Sequence, residues 1–164
     1  MNNVFISADD EMPLPFEIEK VRNFALKVLE RIDHDNWDLS IHFCNNETIK
    51  KLNQEYRGKD EATDVLSFEL GETFLDDNGD ERILPGDIII SLDTLKENAE
   101  YFVVPIDEEL KRLIVHGILH LDGLDHATNE KEEPMLEIQE SLLENFHEEA
   151  IFSAATLSSK ASNV

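Results

Sequence analysis

The segment from residue 108 to residue 122 predicts a helix that is apolar around much of its circumference, and this restricts how the rest of the chain can be arranged. Its apolar residues are Leu110, Leu113, Ile114, Val115, Ile118, Leu119 and Leu121. A helix that is apolar on most sides must be enclosed by other elements. We therefore expect a central helix, which Asp107 caps at its start and Gly123 ends, with the remaining elements packed around it.

The remaining periodic segments supply the elements that would enclose this helix. Apolar residues at helical spacing between 21 and 32 predict another helix, and strict alternation over 37–43 predicts a half-buried strand. Further strands are expected at 4–6, 65–70 and 86–91, and further helices after a cap by Asn45 or Asn46, over 92–102 after a cap by Ser91, and over 132–146. Such irregular alternation is typical of the α+β or α/β class. We expect an α+β fold, with a single small mixed β-sheet packed with helices around this central helix.

The length of the chain fits one domain. It has 164 residues, of which 41% are hydrophobic and 31% charged, an ordinary composition for a folded protein. Residues 1–150 are predicted to form this domain, because periodic patterns extend as far as residue 146. Residues 151–164 lose that periodicity, and we expect them to form a flexible C-terminal tail.

Charge and targeting signals bear on the partners and the compartment. Lys and Arg total 14 against 37 Asp and Glu, a formal net charge of -23, which argues against partners attracted by the charge of the whole molecule. No apolar run approaches the roughly 20 residues of a membrane span, and residues 1–15 lack the features of a secretory signal. Cys44 is the single cysteine, so no internal disulfide can form. We expect a cytoplasmic protein with no membrane partner.

Three histidines at the end of the central helix predict a metal site. His116 and His120 are four residues apart, so their imidazoles project from one face of the helix about one turn apart. Gly123 lets the chain turn back sharply, and His126 then returns to the same point. Three neutral imidazoles suit zinc, and three protein ligands keep a fourth position open for water or substrate. We expect one Zn2+ ion held by His116, His120 and His126.

The spacing of these histidines also occurs in metzincin proteases, which need a glutamate directly after the first histidine as general base. Here that position is Gly117, so a metallopeptidase-like hydrolase is the less favoured alternative. A metal site without that glutamate can still polarise a phosphoryl oxygen or activate water. Asp122 and Asp125 flank the site, either as hydrogen-bond acceptors for the imidazoles or as exposed residues at the helix end.

Three blocks of sequence resemble the YbeY family of bacterial endoribonucleases. They are the histidine segment HGILHLDGLDH at 116–126, the segment 52–68, which includes Arg57, and the segment 86–91. The similarity extends from residue 4 to residue 146. It departs at Ala62, where proline is expected, and at Leu124, where the family usually has an aromatic residue. The first departure is expected to loosen a loop and the second to alter one wall of the site.

The resemblance implies a zinc-dependent, single-strand-specific endoribonuclease that acts on the 3′ end of small-subunit ribosomal RNA and in ribosome quality control. It also implies contact with the small ribosomal subunit, with a ribosomal protein and a ribosome-associated GTPase as candidate partners. The nucleophile is left open between a water activated by the metal and the ribose 2′-hydroxyl. A non-catalytic ribosome assembly factor with a zinc site is the alternative to a nuclease.

Arg57 is the candidate catalytic residue outside the metal site. A guanidinium can hold a phosphate with two parallel hydrogen bonds and keep its charge as negative charge builds up in the transition state. Its basic neighbours in this acidic chain are Lys50, Lys51 and Lys59. From the residues alone, an equal alternative is a surface arginine that pairs with Glu55, Asp60 or Glu61. The resemblance favours the phosphate-holding role.

Cys44 is remote in sequence from the three histidines, and we expect it to have a structural role. The other histidines, which are His34, His42 and His147, lie in polar contexts and are expected to face solvent.

Overall fold

Strands form where the sequence alternates or runs apolar, and helices form where apolar residues recur at helical spacing. The computed structural model describes residues 1–152. In that part of the chain the elements are, in order, β1 (Asn3–Ala8), α1 (Ile18–Arg31), β2 (Asp38–Cys44), α2 (Asn46–Arg57), β3 (Val65–Leu75), β4 (Glu81–Ser91), α3 (Leu92–Phe102), α4 (Ile106–Leu121) and α5 (Pro134–Asn145). The strands make one mixed sheet with helices packed on it, so the predicted α+β class is confirmed.

The sheet has the strand order β1-β2-β4-β3. β1, β2 and β4 run parallel, and β3 returns antiparallel to β4 as an edge strand. Residues 88–90 of β4 are a continuous apolar run because both faces of this inner strand are covered. β3 and β4 extend beyond the predicted strands, since backbone pairing in their hairpin continues through residues 72–75 and 81–84, and on the β3 side these residues are exposed.

The two faces of the sheet are covered by different helices. On one face, α1 packs on β1 and α4 packs on β3 and β4, and their buried residues form the main core together with inward residues of β2 and β4. On the opposite face, α2 covers a smaller cluster of Cys44, Ile49, Leu66 and Ile89. Leu110, Ile114 and Ile118 of α4 are fully buried, which confirms that this helix is central.

Two predicted helix caps are confirmed and a third is wrong. Asn45 and Ser91 accept hydrogen bonds from backbone N–H groups in the first turns of α2 and α3. α4 begins at Ile106 after Pro105, so Asp107 lies inside its first turn and does not cap it. Asp107 Oδ1 instead accepts hydrogen bonds from the backbone N–H groups of residues 151 and 152, at 2.7 and 2.9 Å.

These bonds hold the start of the segment that was expected to be a tail. Ile151 and Phe152 are buried in the main core, so ordered structure continues past the predicted boundary at residue 150. Two apolar residues suffice for this burial, although they are too few to show periodicity in the sequence. Residues 153–164, on which the rest of that prediction falls, lie outside the described residues.

Two of the three histidines that were expected to face solvent are half-buried. His42 joins two side chains near the end of β1, with Nδ1 2.7 Å from Ser7 Oγ and Nε2 2.9 Å from Asp9 Oδ1. His34 stacks on Trp37, with ring centroids 4.0 Å apart. For His42 the prediction was wrong because its partners lie 35 and 33 residues away in the sequence. Trp37, in contrast, is a near neighbour of His34 in the sequence, and the prediction overlooked it. His147 is exposed, as predicted.

Within residues 1–152, no helix combines the length and the apolar character that crossing a bilayer requires. α4, the longest of these helices at 16 residues, carries charged side chains in its first two turns.

Candidate metal centre

Helix α4 and the turn after it bring the three predicted histidines together. His116 and His120 occupy successive turns on one face of the helix. The helix ends at Leu121, and Gly123, with φ +92°, adopts a left-handed conformation that reverses the chain. His126 thereby returns to the other two. One ring nitrogen from each histidine lies within 4.8 Å of the others, so the cluster could hold a metal ion.

Each imidazole has a hydrogen-bond acceptor beside its Nδ1 atom. His116 Nδ1 is 2.7 Å from Gln139 Oε1, His120 Nδ1 is 3.1 Å from the carbonyl oxygen of Leu124, and His126 Nδ1 is 2.8 Å from that of Thr128. An acceptor at Nδ1 draws the proton to that atom and leaves the lone pair on Nε2. All three Nε2 atoms can then act as metal ligands.

The closest pair of these nitrogens supports a cation between them. His116 Nε2 and His120 Nε2 are 3.1 Å apart. With both protons on Nδ1, two lone pairs face each other at that distance, which is unfavourable unless a cation binds both. Tetrahedral zinc with Zn–N bonds of about 2.0–2.1 Å would separate two ligand nitrogens by about 3.3 Å. The residues present therefore fit a zinc ion.

Burial favours the neutral form of two of the imidazoles. Desolvation lowers the pKa of His116 and is the largest effect. The hydrogen bond with Gln139 opposes it, and the neighbouring His120 and His126 lower the pKa further. Desolvation also lowers the pKa of His120, again with a contribution from His126. Because a protonated imidazole cannot bind a metal, these lowered pKa values extend the range in which both side chains can act as ligands toward lower pH.

Asp122 and Asp125 do not accept hydrogen bonds from the ligand imidazoles. Asp122 Oδ1 lies 2.6 Å from Nε2 of His34, which is not part of the cluster. Asp125 Oδ1 accepts a hydrogen bond from the backbone N–H of His126 at 2.8 Å and stays 4.0 Å from His120 Nδ1. The sequence left open whether these aspartates accept hydrogen bonds from the imidazoles or are exposed residues at the helix end, and the structure favours the second possibility.

Gly117 lies where α4 packs closely on the sheet. A Cβ atom at this position would be 2.8 Å from the Cδ1 and Cγ2 atoms of Ile88, a fully buried residue of β4. Position 117 therefore faces the sheet and has no room for the glutamate that a metzincin protease carries there. The packing of α4 thus argues against the metallopeptidase alternative.

Replacing Gly117 with alanine is expected to destabilise the protein by about 1–3 kcal/mol, because the added methyl group would overpack the core against Ile88. Helix propensity alone predicts the opposite sign, a gain of about 0.5–1 kcal/mol. Urea unfolding of the variant measures the difference. The double variant with Ile88→Val is the control, since removing one methyl group should recover part of the loss. A stabilised Gly117→Ala variant would contradict the close packing.

Arg57 lies in the same cleft as the histidine cluster. It is the last residue of α2, beside the edge strand β3, and its Nη2 atom donates to the carbonyl oxygen of Ser67 at 2.9 Å. The cleft has a volume of about 690 Å³, and its lining includes Arg57, His116 and His120. A neutral carbonyl orients the guanidinium without cancelling its charge. The structure therefore brings the predicted phosphate-holding residue to the candidate metal centre.

The other walls of the cleft are aromatic, apolar and acidic. Tyr56 is 63% exposed, and its ring meets Phe68 edge-on with centroids 5.4 Å apart. Leu124 forms part of the wall, as expected from its departure from the family pattern, and Glu69 and Asp125 add carboxylates. Tyr56 and Phe68 were not among the predicted site residues. The sequence features that could have indicated these two residues are the position of Tyr56 next to Arg57 and the position of Phe68 in the strand that follows.

Cys44 has no place in the metal centre. It lies in the cluster under α2, on the face of the sheet opposite α4. Burial raises the pKa of its thiol to about 12, which keeps it neutral and unsuited to bind a metal. Among residues 1–152 the cluster that could hold a metal ion consists of three histidines, whereas a structural zinc site is usually closed by four protein ligands. The expected structural role of Cys44 agrees with this position.

Most of the chain matches known proteins. The family model described as Endoribonuclease YbeY matches residues 6–147, a span that includes Arg57 and all three histidines. The Endoribonuclease YbeY of Treponema denticola is 48% identical over 151 residues, which cover 92% of this chain and 97% of the relative. That of Treponema pallidum is 46% identical over 143 residues, covering 87% of this chain and 89% of the relative.

A solved structure has a related fold. The solution structure of TM1509 from Thermotoga maritima superposes with a TM-score of 0.59 and 27% sequence identity, covering 88% of this chain and 90% of that chain. The matched residues of the family model include the whole sheet apart from the first residues of β1, and the central helix with its histidines. The chain therefore belongs to the YbeY family.

Proposed function

We propose that this protein is a zinc-dependent endoribonuclease that cleaves single-stranded RNA during maturation of ribosomal RNA. The observation that carries the proposal is the convergence of His116, His120 and His126 beside a cleft that Arg57 also lines. The relatives named Endoribonuclease YbeY support RNA as the substrate. The packing at Gly117 supports a nuclease over a peptidase.

The Nε2 atoms of the three histidines would hold the zinc ion. Neutral nitrogen donors support zinc over magnesium or calcium, which prefer oxygen ligands. When bound, the ion would polarise a phosphoryl oxygen and lower the pKa of a water molecule. Three ligands leave room for such a group, which supports a catalytic over a structural ion.

Arg57 would bind the scissile phosphate. Its hydrogen bond to the carbonyl of Ser67 uses one N–H group and leaves others of the guanidinium for two phosphate oxygens. The phosphate gains negative charge as the new bond to phosphorus forms. A fixed positive charge in the cleft stabilises that charge more in the transition state than in the bound substrate, which accelerates the reaction.

Tyr56 and Phe68 support a preference for unpaired RNA. An exposed aromatic ring can stack on a base that no neighbour covers, and such stacking contributes about 1–3 kcal/mol per base. Bases inside a duplex are already stacked and cannot reach the ring. The net charge of -23 repels phosphates elsewhere on the surface, so we expect weak and salt-dependent binding to free RNA.

We further propose that the protein acts in the cytoplasm on the 3′ end of small-subunit ribosomal RNA and in ribosome quality control. The small ribosomal subunit would be its partner, bound through a ribosomal protein or a ribosome-associated GTPase. Family membership supports this context. The expected weak affinity for free RNA also supports it, because a partner on the ribosome would supply the specificity that charge does not.

A hairpin RNA with a long unpaired loop and a paired stem tests the proposal. We expect the zinc-loaded protein to cleave phosphodiester bonds in the loop at least about tenfold faster than those in the stem, because only unpaired bases can stack in the cleft. Gel analysis of the end-labelled RNA measures both rates. A His116→Ala variant purified in parallel reports contaminating ribonuclease. Equal cleavage of loop and stem, or undiminished cleavage by the variant, would refute the proposal.

A further inference from the structure

A chain of hydrogen bonds connects the metal centre to a charged pair between α4 and α5. It begins at Arg112, one turn before His116 in α4, and passes through Glu140 and Gln139 of α5 to the His116 imidazole. Gln139 is buried, at 6% exposure. Gln139 was not among the predicted site residues, because it lies 23 residues beyond the histidine that it contacts.

The charged pair at the start of this series of hydrogen bonds determines which group is the donor and which the acceptor in every bond. Arg112 donates from Nη2 to Glu140 Oε1 at 3.0 Å and from Nε to Glu140 Oε2 at 3.1 Å. A carboxylate only accepts, so the amide nitrogen of Gln139 must face it, and Nε2 donates to Glu140 Oε2 at 3.1 Å. The amide oxygen then faces His116 Nδ1 at 2.7 Å, which makes Nδ1 the protonated nitrogen.

The tautomers of the other two histidines do not depend on a neighbouring side chain. His120 and His126 have backbone carbonyls beside Nδ1, and a carbonyl oxygen can only accept. Their tautomers are therefore fixed by the main chain. His116 has an amide side chain instead, and an amide can turn over to present either a donor or an acceptor. Of the three tautomers, that of His116 therefore depends on another residue, which must hold the amide in one orientation.

We propose that Gln139 is a positioning residue for the metal centre, which Glu140 orients so that the lone pair of His116 lies on Nε2. This inference rests on the proposed zinc site. Glu140 remains an acceptor because, although burial alone would raise its pKa, hydrogen bonds from Arg112 and Gln139 bring that pKa below the ordinary value. The consequence is that zinc affinity depends on α5 as well as on the segment that carries the ligands.

Zinc affinity of four variants, measured by competition with a chromophoric chelator, tests this role. Gln139→Leu removes the acceptor at nearly constant volume and is expected to weaken zinc binding about 10- to 100-fold. Gln139→Glu keeps an acceptor and should stay within about threefold of the unaltered protein. Glu140→Ala lets the amide turn over and should weaken binding about tenfold. Glu144→Ala, at an exposed glutamate one turn further along α5, is the matched control and should have no effect.

A second measurement reads the tautomer directly. Nitrogen-15 NMR of the metal-free protein is expected to show the His116 proton on Nδ1, and Glu140→Ala should shift part of the population to Nε2. The inference is overturned if metal-free His116 carries its proton on Nε2, or if Gln139→Leu and Glu140→Ala both bind zinc as the unaltered protein does. Neither readout uses RNA. A negative result in these two measurements is therefore distinct from a failure to cleave RNA. The tautomer measurement tests the inference whichever metal the protein binds naturally.

Discussion

Replacing His120 with alanine is expected to remove both zinc binding and RNA cleavage. Its Nε2 atom lies 3.1 Å from that of His116, and its ring borders the cleft, so its loss leaves two ligands that no longer surround the ion. Because loss of an outer partner already costs about 10- to 100-fold in metal affinity, loss of a ligand should cost about 100-fold or more. Metal analysis after gel filtration and an assay on single-stranded RNA measure the two effects.

The matched control for this variant is His147→Ala, because His147 is an exposed histidine outside the cluster. It should keep one zinc ion and full cleavage. Thermal unfolding of both metal-free variants shows whether His120→Ala retains the fold, which we expect because the His120 side chain is partly exposed and lines a cleft. A His120→Ala variant that retains stoichiometric zinc would contradict the assignment of this residue as a ligand.

Replacing Arg57 with alanine is expected to lower kcat about 100-fold or more while zinc remains bound. The guanidinium lines the cleft but lies outside the histidine cluster, so its loss removes stabilisation of the phosphate and leaves the metal ligands in place. Arg57→Lys should recover only part of the rate, because an ammonium group keeps the charge but cannot form two parallel hydrogen bonds to phosphate. Single-turnover cleavage and zinc content, measured on the same samples, separate the two roles.

Lys59→Ala is the control for this effect, since it removes a positive charge two residues along the chain. We expect a small change in rate that decreases further at higher salt, because exposed charges are screened. If Lys59→Ala impaired cleavage as much as Arg57→Ala did, general attraction of RNA would explain the effect. A specific role of Arg57 at the scissile phosphate would then be wrong.

The local features of the histidine segment could be predicted from the sequence because they depend on residues close together in the chain. The spacing of His116 and His120 defines one helix face, and the turn at Gly123 determines where His126 goes. The apolar circumference of α4 likewise predicted its central place. These inferences require only helix geometry and the conformational freedom of glycine.

The features that the sequence did not reveal depend on contacts between distant segments. Gln139 reaches His116 only when α5 packs on α4, and an isolated glutamine in a helix has no recognisable pattern. Asp107 has the side chain of a helix cap, but the backbone N–H groups of residues 151 and 152 bind it instead. The half-buried state of His42 similarly depends on the pairing of β1 with β2.

Stepwise return of zinc to metal-free protein tests the central claim most directly. The protein is stripped with a chelator, zinc is added in fractions of an equivalent, and cleavage of single-stranded RNA is measured at each step. We expect the rate to rise linearly and to level off at one zinc ion per chain, because one cluster of three histidines holds the ion that the reaction needs. Full cleavage by the stripped protein, or a rate that does not respond to zinc, would contradict this account.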